Sequence, residues 1–337
     1  MKISLWTIAT SALLCLAALS ACNSKNTPAA QSSTQYVVGD ACPLQFNADS
    51  AYAFVEEQCA FGPRVPNSEA HRRCGDYLVE KFRSYGLDVV EQKANLTAWD
   101  GTVLAARNII ASYAPDSAKR ILLCAHWDSR PWCDADPDRS KHREPVMGAN
   151  DGASGVAVML EVARLLQEMK PAVGIDLICF DAEDYGCPYW GDDNGYSDGS
   201  DWCLSSQYWA KHPHKSGYSA TYGILLDMVG GFGAQFCYEG YSLRYAQAIV
   251  GKVWTAARAA GAEKFFPFAE GGYITDDHVP LNETAAIPTI DVIAFHPNSS
   301  HAFAPTWHTT QDTPENISRE TLKAVGQTML QVIYEEK

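Results

Sequence analysis

Three short apolar runs in this chain each end in acids or an imidazole, and that repetition constrains the fold more than any other feature. Ile121-Leu122-Leu123-Cys124 runs into His126 and Asp128, Ile178-Cys179-Phe180 into Asp181, Glu183 and Asp184, and Ile224-Leu225-Leu226 into Asp227. Runs this short and this uniformly apolar suit strands covered on both faces. Between them lie helical patterns. After Asn67 the residues Cys74, Tyr77, Leu78, Phe82 and Tyr85 fall at helical spacing until Gly86, and Val158, Val162, Leu165 and Leu166 form a second stripe. Further strands are expected at 87–90, 108–113 and 289–294, and further helices at 202–211, 243–260 and 318–333. The alternation predicts an α/β three-layer sandwich, a largely parallel central sheet with helices on both faces. Ligands of such sheets bind beyond the carboxyl ends of strands, so the three polar run ends predict one site.

With 337 residues, 47% of them hydrophobic, the chain can bury a full-sized core, which excludes disorder, collagen and coiled coil as its main architecture. Its 40 Asp and Glu against 26 Lys and Arg leave a formal charge of −14. That balance argues against nucleic acid as a partner and leaves small zwitterions and peptides open.

The N-terminus carries Lys2, an apolar run and then Leu19-Ser20-Ala21-Cys22, the pattern of a signal peptide ending in a lipobox. Residues 1–21 are expected to be removed and Cys22 to carry lipid. A polar tether follows over 22–38, and 39–337 reads as a single domain. The implied address is the bacterial envelope, on an outer membrane facing the periplasm, held there through the lipid on Cys22. With Cys15 removed and Cys22 carrying lipid, nine cysteines remain, an odd number, and Cys187 with Cys203 could staple one loop. Cys124 and Cys179 read as buried thiols, and no CxxC pair supports a cysteine metal site.

His126, Asp151, Glu183, Asp184, Asp227 and His308 are the candidates for chemistry. Two imidazoles and several carboxylates form a nitrogen and oxygen donor set suited to zinc. Asp151 sits in Gly148-Ala149-Asn150-Asp151-Gly152-Ala153-Ser154-Gly155, where small residues let backbone approach an ion; a helix N-cap is its ordinary alternative. The adjacent Glu183 and Asp184 suggest divided labour, one on metal and the other free as acid or base. The acidic insert with Asp192, Asp193, Asp198 and Asp201 misses the EF-hand spacing and reads as a solvated loop.

The segments Ala125-His126-Trp127-Asp128-Ser129, Asn150 to Gly155, Phe180-Asp181-Ala182-Glu183-Asp184, Leu226-Asp227-Met228-Val229-Gly230 and Trp307-His308-Thr309 resemble, in order, the clan of zinc aminopeptidases and animal-type glutaminyl cyclases. Gly62-Pro63-Arg64-Val65-Pro66 fits as well. In the two-zinc aminopeptidases the positions of His126, Asp151, Asp184, Asp227 and His308 hold two metals. In the cyclases, Asp151, Asp184 and His308 would hold one zinc, with His126 left to the substrate side. Asp184 departs from the Glu more usual there. Trp307 before His308 and the segment Asp276-Asp277-His278-Val279-Pro280-Leu281 resemble the cyclases, and Trp190 stands one residue from where they place a second pocket indole.

The resemblance implies a zinc-dependent cyclase that converts the N-terminal glutamine of peptides or proteins to pyroglutamate, with Glu183 as general base and acid and Asp227 and Asp276 steadying the proton. A zinc aminopeptidase, with a second zinc on His126 and Asp227, is the alternative. A non-catalytic peptide-binding lipoprotein is the reading from another class.

Overall fold

The computed structural model describes residues 40–168, 170–189, 199–299 and 301–337. The expected leader and tether with Cys22 lie outside them, as do Trp190 and most of the acidic insert. The first described helix, α1 (Ala48–Cys59), is one that the sequence reading passes over; the Asn47 side chain caps it by accepting from the amides of Asp49 and Ser50. α2 (Glu69–Ser84) follows behind the Ser68 cap and buries Cys74, Leu78 and Phe82 as the spacing predicts.

β1 (Asp88–Thr97) and β2 (Val103–Tyr113) come next, then β3 (Arg120–His126), α3 (Ala153–Leu165), β4 (Gly174–Phe180) and α4 (Leu204–Lys211). The chain continues through β5 (Gly223–Asp227), α5 (Gly240–Ala259), α6 (His278–Glu283), β6 (Thr289–Ile293) and α7 (Arg319–Glu335). The sheet order is β1-β2-β4-β3-β5-β6. β4, β3, β5 and β6 pair in parallel, while β1 and β2 form an antiparallel hairpin and β2 runs antiparallel to β4. The sheet is therefore mixed. The five residues between β1 and β2 are too few for a parallel crossover, and Gly101 turns them with φ of 83°.

Alternate residues of the central strands feed two cores. Ile109, Ile121, Leu123, Ile175, Leu177, Ile224 and Leu226 pack under the helices that carry Leu78, Val156, Val253 and Val325. Ile110, Leu122, Ile178, Phe180 and Leu225 pack on the other face with Trp209 of α4 and Leu281 of α6. Helices thus cover both faces, as expected.

Two close fits bring the long segment between β3 and α3 to the carboxyl edge. The buried Arg64 guanidinium donates to the carbonyls of Trp127, Met147 and Gly148 at 3.1, 2.6 and 2.6 Å, which clamps both ends of that segment together. At the start of α3, a Cβ on Gly155 would collide with the Leu226 carbonyl oxygen. The missing side chain lets the helix start lie against the end of β5.

Candidate active site

Asp151 lies between two imidazoles. Its Oδ1 is 2.9 Å from His126 Nε2 and its Oδ2 is 3.5 Å from His308 Nε2. Asp227 Oδ1 approaches His126 Nε2 at 3.2 Å, and Asp184 Oδ1 approaches His308 Nε2 at 3.2 Å. Behind Asp151 the Asp312 carboxylate accepts from the amides of Asn150 and Asp151 at 2.8 and 3.1 Å. The Asp151–Gly152 peptide is cis, and a Cβ on Gly152 would strike the His126 carbonyl oxygen.

Glu183 and Asp184 owe their placement to Asp128. Its two carboxylate oxygens each accept one of their backbone amides, both at 3.2 Å. Glu183 is 9% exposed and faces Cys203 and Asp276, whose ligand atoms and its own all lie within 4.8 Å of one another. The Asp276 charge in turn acts on the buried carboxyl of Asp291 in β6. Ala182, Cys203, Met228 and His308 carry φ of 49°, 55°, 48° and 52°. Left-handed backbone at four residues without glycine, each in or beside this site, is the kind of strain that accumulates at functional sites.

A cavity of about 370 Å³ opens on this cluster, lined among others by Asp151, Glu183, Asp184, Asp227, Asp276, Trp202, Trp307 and His308. Trp202, which the sequence reading places only in a helix, is a wall here. Its ring lies over the Arg130 guanidinium, 4.6 Å from ring centroid to carbon, and a Cβ on Gly186 would collide with it. Arg130 grips the Asp134 carboxylate with two hydrogen bonds of 2.7 and 2.6 Å and donates to the carbonyls of Asp184 and Gly186. Asp134 stands 3.4 Å from His308 Nδ1. Neither Arg130 nor Asp134 has a sequence signal beyond lying in a polar loop.

His126 is only 1% exposed and lies against the carboxylates of Asp151 and Asp227. One expectation changes. Cys203 does not staple a loop with Cys187: its thiol donates to Glu183 Oε1 at 3.2 Å. Trp190 lies outside the described residues.

The charges are arranged around the imidazoles. Burial alone would lower the basicity of His126, but the carboxylates of Asp128, Asp151 and Asp227 raise it well above the ordinary value. His308, also against the effect of burial, is raised to about 10 by Asp184, Asp134 and Asp151. Burial and then the Asp151 charge push Asp184 up to about 6. Burial first, then neighbouring acids, raise Glu183, Asp276 and Asp291 well above the carboxylate range.

Both oxygens of Asp184, Oδ1 of Asp227 and both ring nitrogens of His126 are buried with no hydrogen-bond partner among the described residues. Polar atoms left this way in a closed site fit a cation that takes them as ligands. Asp151, Asp184 and His308 bring one ligand atom each within 4.8 Å of one another, and so do His126, Asp151 and Asp227.

Residues 108–333 match peptidase family M28. A solved Zn-dependent exopeptidase from Parabacteroides distasonis ATCC 8503 is 55% identical with a TM-score of 0.84, covering 89% of this chain and 100% of that one. Bacteroides thetaiotaomicron glutaminyl cyclase, solved with N-acetylhistamine, is 53% identical with a TM-score of 0.85, covering 87% and 99%. The glutaminyl-peptide cyclotransferase of Bos taurus is 26% identical over 302 residues, 81% of this chain and 78% of that protein. Aminopeptidase YwaD of Bacillus subtilis (strain 168) is 29% identical over 285 residues, 81% of this chain, which spans about half (54%) of that protein's length. The likeness to zinc aminopeptidases and to animal cyclases read from the motifs holds on both sides.

Proposed function

The chain belongs to peptidase family M28, and from that premise we propose that it is a glutaminyl-peptide cyclotransferase, which closes the N-terminal glutamine of peptides or proteins into pyroglutamate and releases ammonia. The observation that carries this reading is the buried acid run from Glu183 through Asp276 to Asp291, set beside a cavity with indole walls. Cyclisation moves a proton from the α-amine to the departing ammonia without added water, so the site needs a relay more than a water-holding pocket.

Asp151, Asp184 and His308 would hold one zinc ion, which when bound supplies polarisation of the glutamine γ-carbonyl. Trp307 and Trp202 fold the glutamine side chain back toward its own amine, and that intramolecular approach accounts for much of the rate. Glu183 takes the proton from the attacking α-amine on a carboxylate oxygen and returns it to the leaving nitrogen. Asp276 and Asp227 hold that carboxyl in place and keep the proton local.

The zinc aminopeptidase reading has its own support in the second donor group, His126, Asp151 and Asp227. Purified full chain given a Gln-initiated and a Leu-initiated peptide separates the two by mass. Loss of one ammonia from an otherwise intact Gln peptide is the expected result. Release of free leucine would overturn it in favour of the aminopeptidase. The proposed setting is the periplasmic face of a bacterial outer membrane, with lipid on Cys22; radiolabelled fatty acid that survives Cys22→Ser would sink that assignment.

A further inference from the structure

We propose that Cys203 is a positioning residue for Glu183, a role that rests on the reading of Glu183 as the proton carrier. The start of α4 is laced to the turn after β4 by two backbone hydrogen bonds, Cys203 N–H to the Glu183 carbonyl at 3.0 Å and Leu204 N–H to the Ala182 carbonyl at 3.1 Å. Within that lacing the Cys203 thiol donates to Glu183 Oε1 at 3.2 Å. One ligand atom each of Asp276, Cys203 and Glu183 lies within 4.8 Å of the others, so the Glu183 carboxyl has two polar side chains close to it.

A carboxylate turns easily about its last bond, and the barrier there is low and broad. A donor fixed on one oxygen leaves the other oxygen to the substrate amine. A thiol suits this task because it is a weak donor. It sets the direction of the carboxylate and takes less from its basicity than a hydroxyl would. The thiol itself is no nucleophile here: burial first, then the charges of Glu183, Asp277 and Asp276, push its pKa well up, and the side chain is 2% exposed.

Cys203→Ala and Cys203→Ser in the zinc-loaded full chain, assayed on a Gln-initiated peptide, test the role. Cys203→Ala is expected to lower kcat about fivefold to tenfold, with KM within about twofold, as loss of one orienting hydrogen bond does. Zinc content and Tm stay at wild-type values, and Cys203→Ser recovers most of the lost kcat. An unchanged kcat in Cys203→Ala, a fall that follows lost zinc or a lower Tm, or a Ser variant no better than Ala would each overturn the proposal. If the wild-type chain hydrolyses the Leu-initiated peptide instead, the cyclase reading fails and the same criteria apply to Cys203 on that substrate, where Glu183 is again the base. A wild-type chain inert toward both peptides overturns both.

Discussion

Trp307 lies face to face with His308, ring centroids 3.6 Å apart and planes inclined by 21°. The indole therefore guards the imidazole on one side and walls the cavity with the rest of its surface. Trp307→Ala is expected to raise KM for a Gln-initiated peptide about tenfold or more, since aromatic contacts contribute roughly 0.5–1.5 kcal/mol beyond the area they bury. Trp307→Phe should keep most of the affinity. Steady-state kinetics of the two variants check this, and equal KM values in all three proteins would remove Trp307 from the substrate wall.

Glu183→Gln keeps the shape of the side chain and removes its capacity to take a proton. A loss of kcat of about 10²–10⁴ is expected, the usual range for a general base, with peptide affinity and zinc content retained. A variant as active as the parent would remove Glu183 from the role of base, whereas a parent with no rate to lose would return the protein to the class of peptide binders.

Asp151 touches both imidazoles, so its loss should disorganise the whole donor set. In the parent, zinc at about a hundred times its Kd should add roughly 2.7 kcal/mol of stability, and in Asp151→Ala that increment should vanish along with activity. Thermal unfolding with and without zinc, together with metal analysis, measures both. Undiminished zinc stoichiometry in the variant would refute the ligand assignment.

Asp128 is the acceptor that holds the Glu183 and Asp184 amides. Asp128→Ala leaves two buried N–H groups without partners, at a cost of about 1–3 kcal/mol each. Asp128→Asn, which retains one acceptor oxygen, should lose about half as much. Denaturant midpoints read the difference; identical midpoints for the parent and the Ala variant would contradict the hydrogen-bond assignment.

Glu239 provides a pH test away from the cavity. Burial would raise its carboxyl, but the His278 hydrogen bond and charge and the amides of Tyr241 and Ser242 outweigh burial and hold it down from 4.5 to about 2. A carboxyl depressed by folding stabilises fully above its unfolded value and loses that contribution as pH falls through the folded one. The stabilisation is on the order of 3 kcal/mol at neutral pH. Glu239→Gln should therefore be less stable than the parent by a constant margin above about pH 5, and the margin should close toward pH 2. Urea unfolding across that range is the measurement, and a gap independent of pH would disprove the linkage.

The central strands were legible because burial on both faces leaves a continuous apolar run, and β3, β4 and β5 appear where those runs stand. β1 was legible only at its start: its exposure alternates along ten residues that pair with β2 through backbone, so the sequence carries little apolar signal there. α1 buries Ala51, Phe54, Val55, Gln58 and Cys59, a stripe too mixed to stand out among its acids. The ligands at strand ends could be read because a polar residue after an apolar run is conspicuous. Asp291 could not, since one acid inside Thr-Ile-Asp-Val-Ile looks like an outward-facing residue, yet β6 buries it against Asp276. Arg130, Asp134, Trp202 and Cys203 come from loops and a helix start, where only the folded path brings them to the site.

The left-handed turns at Ala182, Cys203, Met228 and His308 bear on any attempt to transplant this chemistry. Each costs about 1–2 kcal/mol that the surrounding fold must offset, and a β-branched side chain at any of them would raise that cost. Copying the acids and imidazoles onto the strand ends of another parallel sheet would reproduce the inventory without the aim. A working graft has to carry the four loops along with the anchors that hold them bent, and a mutational scan for improved variants should leave these backbone positions alone.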